Sequence, residues 1–307
     1  MRIASIDVGT NTLLLLIADV NGDEIFPIHN EQVIARLGKG IDSSGLIRKE
    51  AFDKVADALL NFKARAQSFN VEKIVAVGTS ALRDAKNKID FLKFIEGKTG
   101  IKIKVISGEE EARLTYLGAL SGLGVKNSKI SVIDIGGGST EIITGVGYEV
   151  KKFASLNIGT VRLTEKFLKH SPPLDEEINE VRNFLNEQFE KIDKEFDFSG
   201  SRLVGVAATV TTIASYDLKL EKYDGEKVNG HKMTFETIRK IYETFKGLSV
   251  EEIRKIPQVS SGREDVIFAG ILILFEFMRK FNFTEITASD RGLRYGVIFD
   301  LIRTNSL

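Results

Sequence analysis

Apolar and polar positions alternate with two different periods along this chain. The runs 2-RIASIDV-8 and 12-TLLLLIADV-20 are short, apolar and bounded by turn residues, and predict two strands joined by the turn 9-GTN-11. The acidic, glycine-containing segment 21-NGDE-24 predicts a hairpin turn before 25-IFPIHNEQVIARL-37. From 48 to 68 (RKEAFDKVADALLNFKARAQS) the apolar spacing becomes helical. Next, 73-KIVAVGTSALRDAKN-87 reads as strand, turn and helix, and 102-KIKVI-106 as a strand. In 107-SGEEEARLTYLGALSGLG-124, Ser107 is placed to cap a helix and Glu110 stands three residues later, the spacing of a capping box.

The pattern then restarts. The segment 5-SIDVGTNTLLLLIADVNG-22 and the segment 132-VIDIGGGSTEIITGVGYE-149 share one order: strand, Asp, Gly-rich turn, hydroxyl, strand, Gly turn. This predicts a duplicated α/β architecture with a boundary near Leu123–Lys126. Beyond it the pattern predicts helices near 160–169 and 175–196, then strand, turn and helix over 202-RLVGVAATVTTIASYDL-218. A polar loop is expected over 216–232, helices over 234–246, 249–255 and 264–281, a short strand 285-EITAS-289, and the terminal segment 290-DRGLRYGVIFDLIRT-304.

Composition narrows the function classes. The 307 residues carry 43 Lys and Arg against 43 Asp and Glu, so there is no overall basic field of the kind a general nucleic-acid binder uses. No cysteine is present, which excludes disulfides and thiolate metal sites and fits a cytoplasmic setting. The N-terminal residues do not read as a signal peptide. The most apolar window, 266-VIFAGILILFEFM-278, is too short to span a bilayer, so no membrane association is expected.

The candidate chemistry lies where strands end in acids and bare backbone. Glycine lets a ligand approach the chain and frees N–H groups to face an anion. Each turn alone reads as an ordinary hairpin. As a repeated pair they point to phosphate, with Gly9, Thr10, Asn11 and Thr12 in the first turn and Gly136, Gly137, Gly138, Ser139 and Thr140 in the second. Carboxylates beside phosphate make sense with a cation between them, and oxygen ligands suit Mg²⁺, so Asp7, Asp134 and Glu141 are metal candidates. In 78-GTSALRDAKN-87, Thr79 and Ser80 are placed to cap a helix that carries Arg83, an anion site; the plainer reading is a surface arginine paired with Asp84 or Asp90. The helix dipole and the capping box account for Glu109 and Glu110, and leave Glu111 as a candidate to orient or deprotonate water. Ala207, Ala208 and Thr209 either leave room for a ligand at a helix start or pack a helix tightly on a strand. Asp290, Arg291 and Arg294 surround Gly292, as a site or as a capped terminal helix. His29, His170 and His231 show no metal spacing, and His231 reads as solvated.

In this order IDVGTNT (6–12), GTSALR (78–83), SGEEEAR (107–113), DIGGGSTE (134–141), GVAATVTT (205–212) and SDRGLRYG (289–296) cover nearly the whole chain. The combination resembles the exopolyphosphatase / guanosine pentaphosphate phosphohydrolase (Ppx/GppA) family, short two-domain type, of the actin–Hsp70–sugar kinase superfamily. The resemblance implies two ribonuclease-H-like (actin-like ATPase) domains with a cleft between them, residues 1–124 and 125–307, the final helix packing back on the first. It implies release of the terminal phosphate from polyphosphate or from pppGpp, a step of the stringent response, with Mg²⁺ and a monovalent cation as candidate cofactors and a homodimer as a candidate assembly. Glu111 matches the catalytic glutamate, Arg83 a phosphate-contacting arginine, Asp134 and Glu141 metal-linked acids, and Gly137, Gly138 and Ser139 the second phosphate loop. The chain departs from the family in carrying Ala207-Ala208-Thr209 where Gly-Gly-Thr is usual, which bears on backbone contact at Ala208 and Thr209, and Gly-Thr-Asn-Thr where Gly-Ser-Asn-Ser is commoner. Two other readings stay open: an alarmone- or polyphosphate-binding sensor without turnover, and an ATP-dependent kinase of the same superfamily.

Overall fold

The computed structural model describes residues 1–22, 24–123 and 127–304. The chain forms two compact units, Met1–Ser121 with Gly292–Leu307, and Gly122–Arg291. Most of the boundary expected at 123–126, and Asp23 of the expected turn 21–24, lie outside the described residues.

In the first unit, β1 (Arg2–Val8), β2 (Thr12–Asn21) and β3 (Glu24–Ile34) form an antiparallel meander. There follow α1 (Ile41–Ser44), α2 (Lys49–Ser68), β4 (Lys73–Gly78), α3 (Ser80–Asp84), α4 (Lys88–Thr99), β5 (Ile103–Val105) and α5 (Gly108–Leu120). The sheet order is β3-β2-β1-β4-β5, with β1 parallel to β4. The second unit repeats the plan. Its meander is β6 (Lys129–Ile135), β7 (Thr140–Val146) and β8 (Glu149–Leu156), followed by α6 (Thr160–Lys166) and α7 (Asp175–Asp193). Then come β9 (Arg202–Val206), α8 (Ala207–Asp217), α9 (Gly225–Val228), β10 (Lys232–Thr234), α10 (Phe235–Lys246), α11 (Val250–Ile253), α12 (Ile267–Lys280) and β11 (Glu285–Ala288). Read from its far edge the order is β8-β7-β6-β9-β11, the order of the first sheet, with β10 added at the end. The last helix, α13 (Leu293–Arg303), belongs to the first unit.

The apolar runs are explained by burial on both sheet faces. In β1, Ile3, Ala4, Ile6 and Val8 are all buried. Ala4, Ile6 and Val8 join a core with Val55, Leu59 and Phe62 of α2 and Phe91 and Ile95 of α4. On the opposite face Ile3 and Leu16 meet Tyr295, Ile298 and Ile302 of α13. The apolar window 266–278 is a core helix: in α12 every residue from Ile267 to Met278 is buried, including Glu276, whose carboxylate accepts from Arg182 Nε at 2.8 Å. No helix among the described residues is long and apolar enough to cross a membrane.

Three local expectations are corrected. The polar segment 216–232 contains the one-turn helix α9, capped by the Asp224 side chain. Ser107 caps α5 by accepting from the Glu110 N–H at 3.1 Å, but the Glu110 carboxylate turns to Lys104 Nζ at 2.6 Å, so the reciprocal half of the capping box is absent. A full positive charge outcompetes one backbone amide for that carboxylate. Neither Thr79 nor Ser80 caps α3 through its side chain.

Candidate active site

The first turn is built by tying its carbonyls back. The Gly9 N–H donates to Thr12 O at 3.1 Å and closes the turn between β1 and β2. A Cβ at Gly9 would stand 2.9 Å from that oxygen, so the position admits only glycine without a shift. The carbonyls of Thr10 and Asn11 accept from the N–H groups of Gly38 and Arg36 at 2.8 and 2.9 Å. The amides of Thr10 and Asn11 have no acceptor among the described residues. Asn11 is buried, yet its Nδ2 has no partner among the described residues, and neither has Asp7 Oδ1. Burial pushes the Asp7 carboxyl up to about 7, against the attraction of the Arg294 charge. Unmatched donors and a desolvated acid this close together are costly unless a ligand completes them.

Thr10 also reaches α3. Its Oγ1 lies 2.9 Å from Ser80 Oγ, a buried contact that fixes the first turn against the helix carrying Arg83. The plainer reading of Arg83 is therefore set aside: its ion pair is with Glu111, not with Asp84 or Asp90. Arg83 Nη1 donates to Glu111 Oε2 and, at 3.3 Å, to the carbonyl of Ile106 at the end of β5. Its Nε and Nη2 meet no acceptor among the described residues, so one edge of the guanidinium holds the acid and the other remains for an anion. Glu111 is 7% exposed, on the first turn of α5.

The second turn repeats the first in detail. The Gly136 N–H donates to Ser139 O at 3.0 Å, and a Cβ at Gly136 would stand 3.0 Å from that oxygen. Here the carbonyls are taken by the start of α6: Gly136 O accepts from Thr160 N, and Gly137 O from Val161 N, each at 2.9 Å. Arg162 Nε donates to Gly138 O at 2.7 Å. The amides of Gly137 and Gly138 have no acceptor among the described residues. Ser139 is buried, and the Thr140 hydroxyl donates to Ile158 O at 2.6 Å, so its proton is engaged within the protein.

Asp134 and Glu141 are register partners across β6 and β7. Glu141 is 1% exposed and its Oε1 accepts from Ser155 Oγ at 2.7 Å. No group of three or more His, Cys, Asp or Glu able to hold a metal is assembled among the described residues. A two-carboxylate pair nonetheless suits Mg²⁺, which keeps waters and takes phosphate oxygens. At the start of α8, Ala207 has φ 65°, the left-handed region. Thr209 is buried against Gly270, where a Cβ would stand 2.4 Å from its Oγ1. Ala208 is partly buried beside it.

The remaining candidates divide between the units. Asp290 accepts from the Tyr223 hydroxyl, and the Arg291 N–H donates to Ser289 Oγ, in the second. Arg294 is in the first, donating to Leu15 O and Asn30 Oδ1 at 3.2 and 2.9 Å. His231 is bonded to Asp217 at 2.7 Å. Sequence reasoning missed the strap after β3 that clamps the first turn, although 38-GKG-40 next to a predicted strand end was a visible signal. It also missed Arg162 and Ser155, which carry no local pattern.

The profile of the Ppx/GppA phosphatase family matches residues 16–305. Exopolyphosphatase 2 of Mycobacterium tuberculosis is 31% identical over 314 residues, covering 98% of each chain. The solved Ppx/GppA family member of Aquifex aeolicus superposes with TM-score 0.84 at 34% identity over 100% of this chain and 99% of its own. An exopolyphosphatase structure from Cytophaga hutchinsonii superposes with TM-score 0.92 at 28% identity, over 99% of this chain and 98% of its own.

Proposed function

This chain belongs to the Ppx/GppA phosphatase family, and from that premise we propose that it is a phosphoanhydride hydrolase that removes the terminal phosphate of inorganic polyphosphate. The observation that carries this reading is the Arg83–Glu111 pair in the unit whose first turn presents unmatched donors. Glu111 accepts a proton from water as the water oxygen attacks the terminal phosphorus. The bond from that phosphorus to the bridging oxygen breaks, and the bridging oxygen leaves on the shortened chain. Arg83 holds Glu111 through Nη1 and offers Nε and Nη2 to the charge on the transferring group. The amides of Thr10 and Asn11, with Asn11 Nδ2, bind phosphate oxygens at the first turn, and those of Gly137 and Gly138 form a second cradle.

The residues that would hold Mg²⁺ are, within the first unit, Asp7 and, within the second, the Asp134–Glu141 pair; an ion bound at either would neutralise phosphate charge. The unpartnered Asp7 Oδ1 supports this assignment. The same chemistry would serve pppGpp, with ppGpp as product. The test is phosphate release in Mg²⁺ buffer from long-chain polyphosphate, pppGpp and ATP in parallel, without an acceptor. Release from polyphosphate supports the proposal. Preference for pppGpp would replace the substrate, and binding without release from any of the three would overturn hydrolysis in favour of a sensor.

A further inference from the structure

The strap that clamps the first turn continues into a cationic surface with no role in the chemistry above. Residues 36–48 and 86–88 carry five Arg and Lys residues and one Asp residue. The strap is anchored to the first turn through the Gly38 and Arg36 amides. A Cβ at Gly38 would stand 2.2 Å from Thr10 Cγ2, so a larger residue there would displace the Thr10 side chain. Further on, Gly40 has φ 80°, and the Arg48 guanidinium covers it, with three atoms 2.7–3.2 Å from where a Cβ would stand. Gly45 has φ 71° and is covered in the same way by Lys86, at 3.0–3.3 Å.

The connection after α3 is stitched to this strap. Lys86 N donates to Gly45 O at 2.9 Å, and the Asn87 side chain bonds both the N–H and the carbonyl of Ile47 at 2.9 Å. Arg48 and Lys86 are exposed, and neither is paired with a carboxylate among the described residues. Glycines that leave room for two cations, on a strap fixed to the phosphate turn, are an arrangement for a second stretch of anion. Neither segment contains an aromatic residue on which a purine would stack.

We infer that the strap 36–48, with Arg48 and Lys86 as its cations, is a subsite for the internal phosphates of a polyphosphate chain whose end is bound at the first turn. The inference rests on the proposed hydrolysis and names its substrate as an extended polyanion rather than a nucleotide. A chain neutralised by several cations releases counterions, so its binding weakens steeply with salt.

The test compares wild type with the double variant Arg48→Gln, Lys86→Gln on tripolyphosphate and on long-chain polyphosphate, with KM and kcat measured at several salt concentrations. The expected result is a KM for the long chain raised about tenfold or more, a much smaller rise for tripolyphosphate, and a shallower salt dependence by about two counterions. Equal KM changes on both substrates, or none, would overturn the subsite while leaving hydrolysis intact. Wild type inactive on both substrates would overturn the hydrolase reading and the subsite with it. Both positions are exposed, so glutamine preserves the fold, and unchanged melting of the variant checks this.

Discussion

Arg83 and Glu111, 28 residues apart in sequence, are joined through a single guanidinium nitrogen, Nη1. The arginine therefore positions the acid and still has donors to spend on a phosphate. Replacing the carboxylate by its amide keeps the shape and removes the proton acceptor. Glu111→Gln is expected to lower kcat by about 10²–10⁴, the usual worth of a positioned general base, with KM little changed. Steady-state phosphate release together with equilibrium binding of polyphosphate checks it. Near-normal turnover would remove Glu111 from the mechanism.

The burial of Asp7 ties stability to pH. Its carboxyl ordinarily titrates near 3.8, and burial raises it to about 7. Between those values the folded protein keeps a proton that the unfolded chain has lost, so stability falls as pH rises through this window and the penalty is complete above it. Asp7→Asn removes the charge. In metal-free buffer the variant is expected to melt higher than wild type at pH 8, and by much less at pH 5. Added Mg²⁺ is expected to raise the melting temperature of wild type at pH 8 and to do less for the variant. Equal responses of the two proteins to Mg²⁺ would show that Asp7 holds no metal.

Ala207 stores backbone strain at the start of α8. A non-glycine residue at φ 65° costs about 1–2 kcal/mol, while glycine costs about 0.5–1 kcal/mol through the freedom of the unfolded chain. The two effects oppose, and the strain is the larger. Ala207→Gly is expected to stabilise the protein by roughly 0.5–1 kcal/mol, measured by denaturant unfolding. A loss of stability would mean that the methyl group packs well enough to offset its conformation.

The sequence carried the duplicated meander plainly, because the spacing of Asp7 and Asp134 to their glycines repeats and is set by local turn chemistry. The same repeat reappears as matching hydrogen bonds, Gly9 to Thr12 and Gly136 to Ser139. The supports of the turns were not legible. One turn is held by the strap at Arg36–Gly38 and the other by the start of α6 at Thr160–Val161, and no common pattern marks elements that differ in length and kind. The Thr10–Ser80 contact spans 70 residues and depends on the register of β1 beside β4. Glu110 was misjudged because a local rule competed with Lys104, which lies six residues earlier on a strand.

The packing of α13 on α5 rests on two glycines that periodicity alone did not single out. A Cβ at Gly296 would stand 1.7 Å from Leu114 O, and one at Gly118 would stand 2.1 Å from Gly292 O. Both collisions are with backbone, so no side-chain rotation relieves them, and the helices must separate. That separation would draw Tyr295 and Ile298 away from Ile3 and Leu16, opening the core on that face of the first sheet. Gly296→Ala is therefore expected to destabilise by about 3 kcal/mol or more, at or beyond the upper end of overpacking costs, although alanine is the better helix former by about 1 kcal/mol. Because α5 also carries Glu111, phosphate release is expected to fall in the fraction that stays folded, with kcat affected more than KM. Chemical unfolding and kinetics on the same preparation check both parts. A variant as stable as wild type would mean that the two helices are not in backbone contact at Gly296.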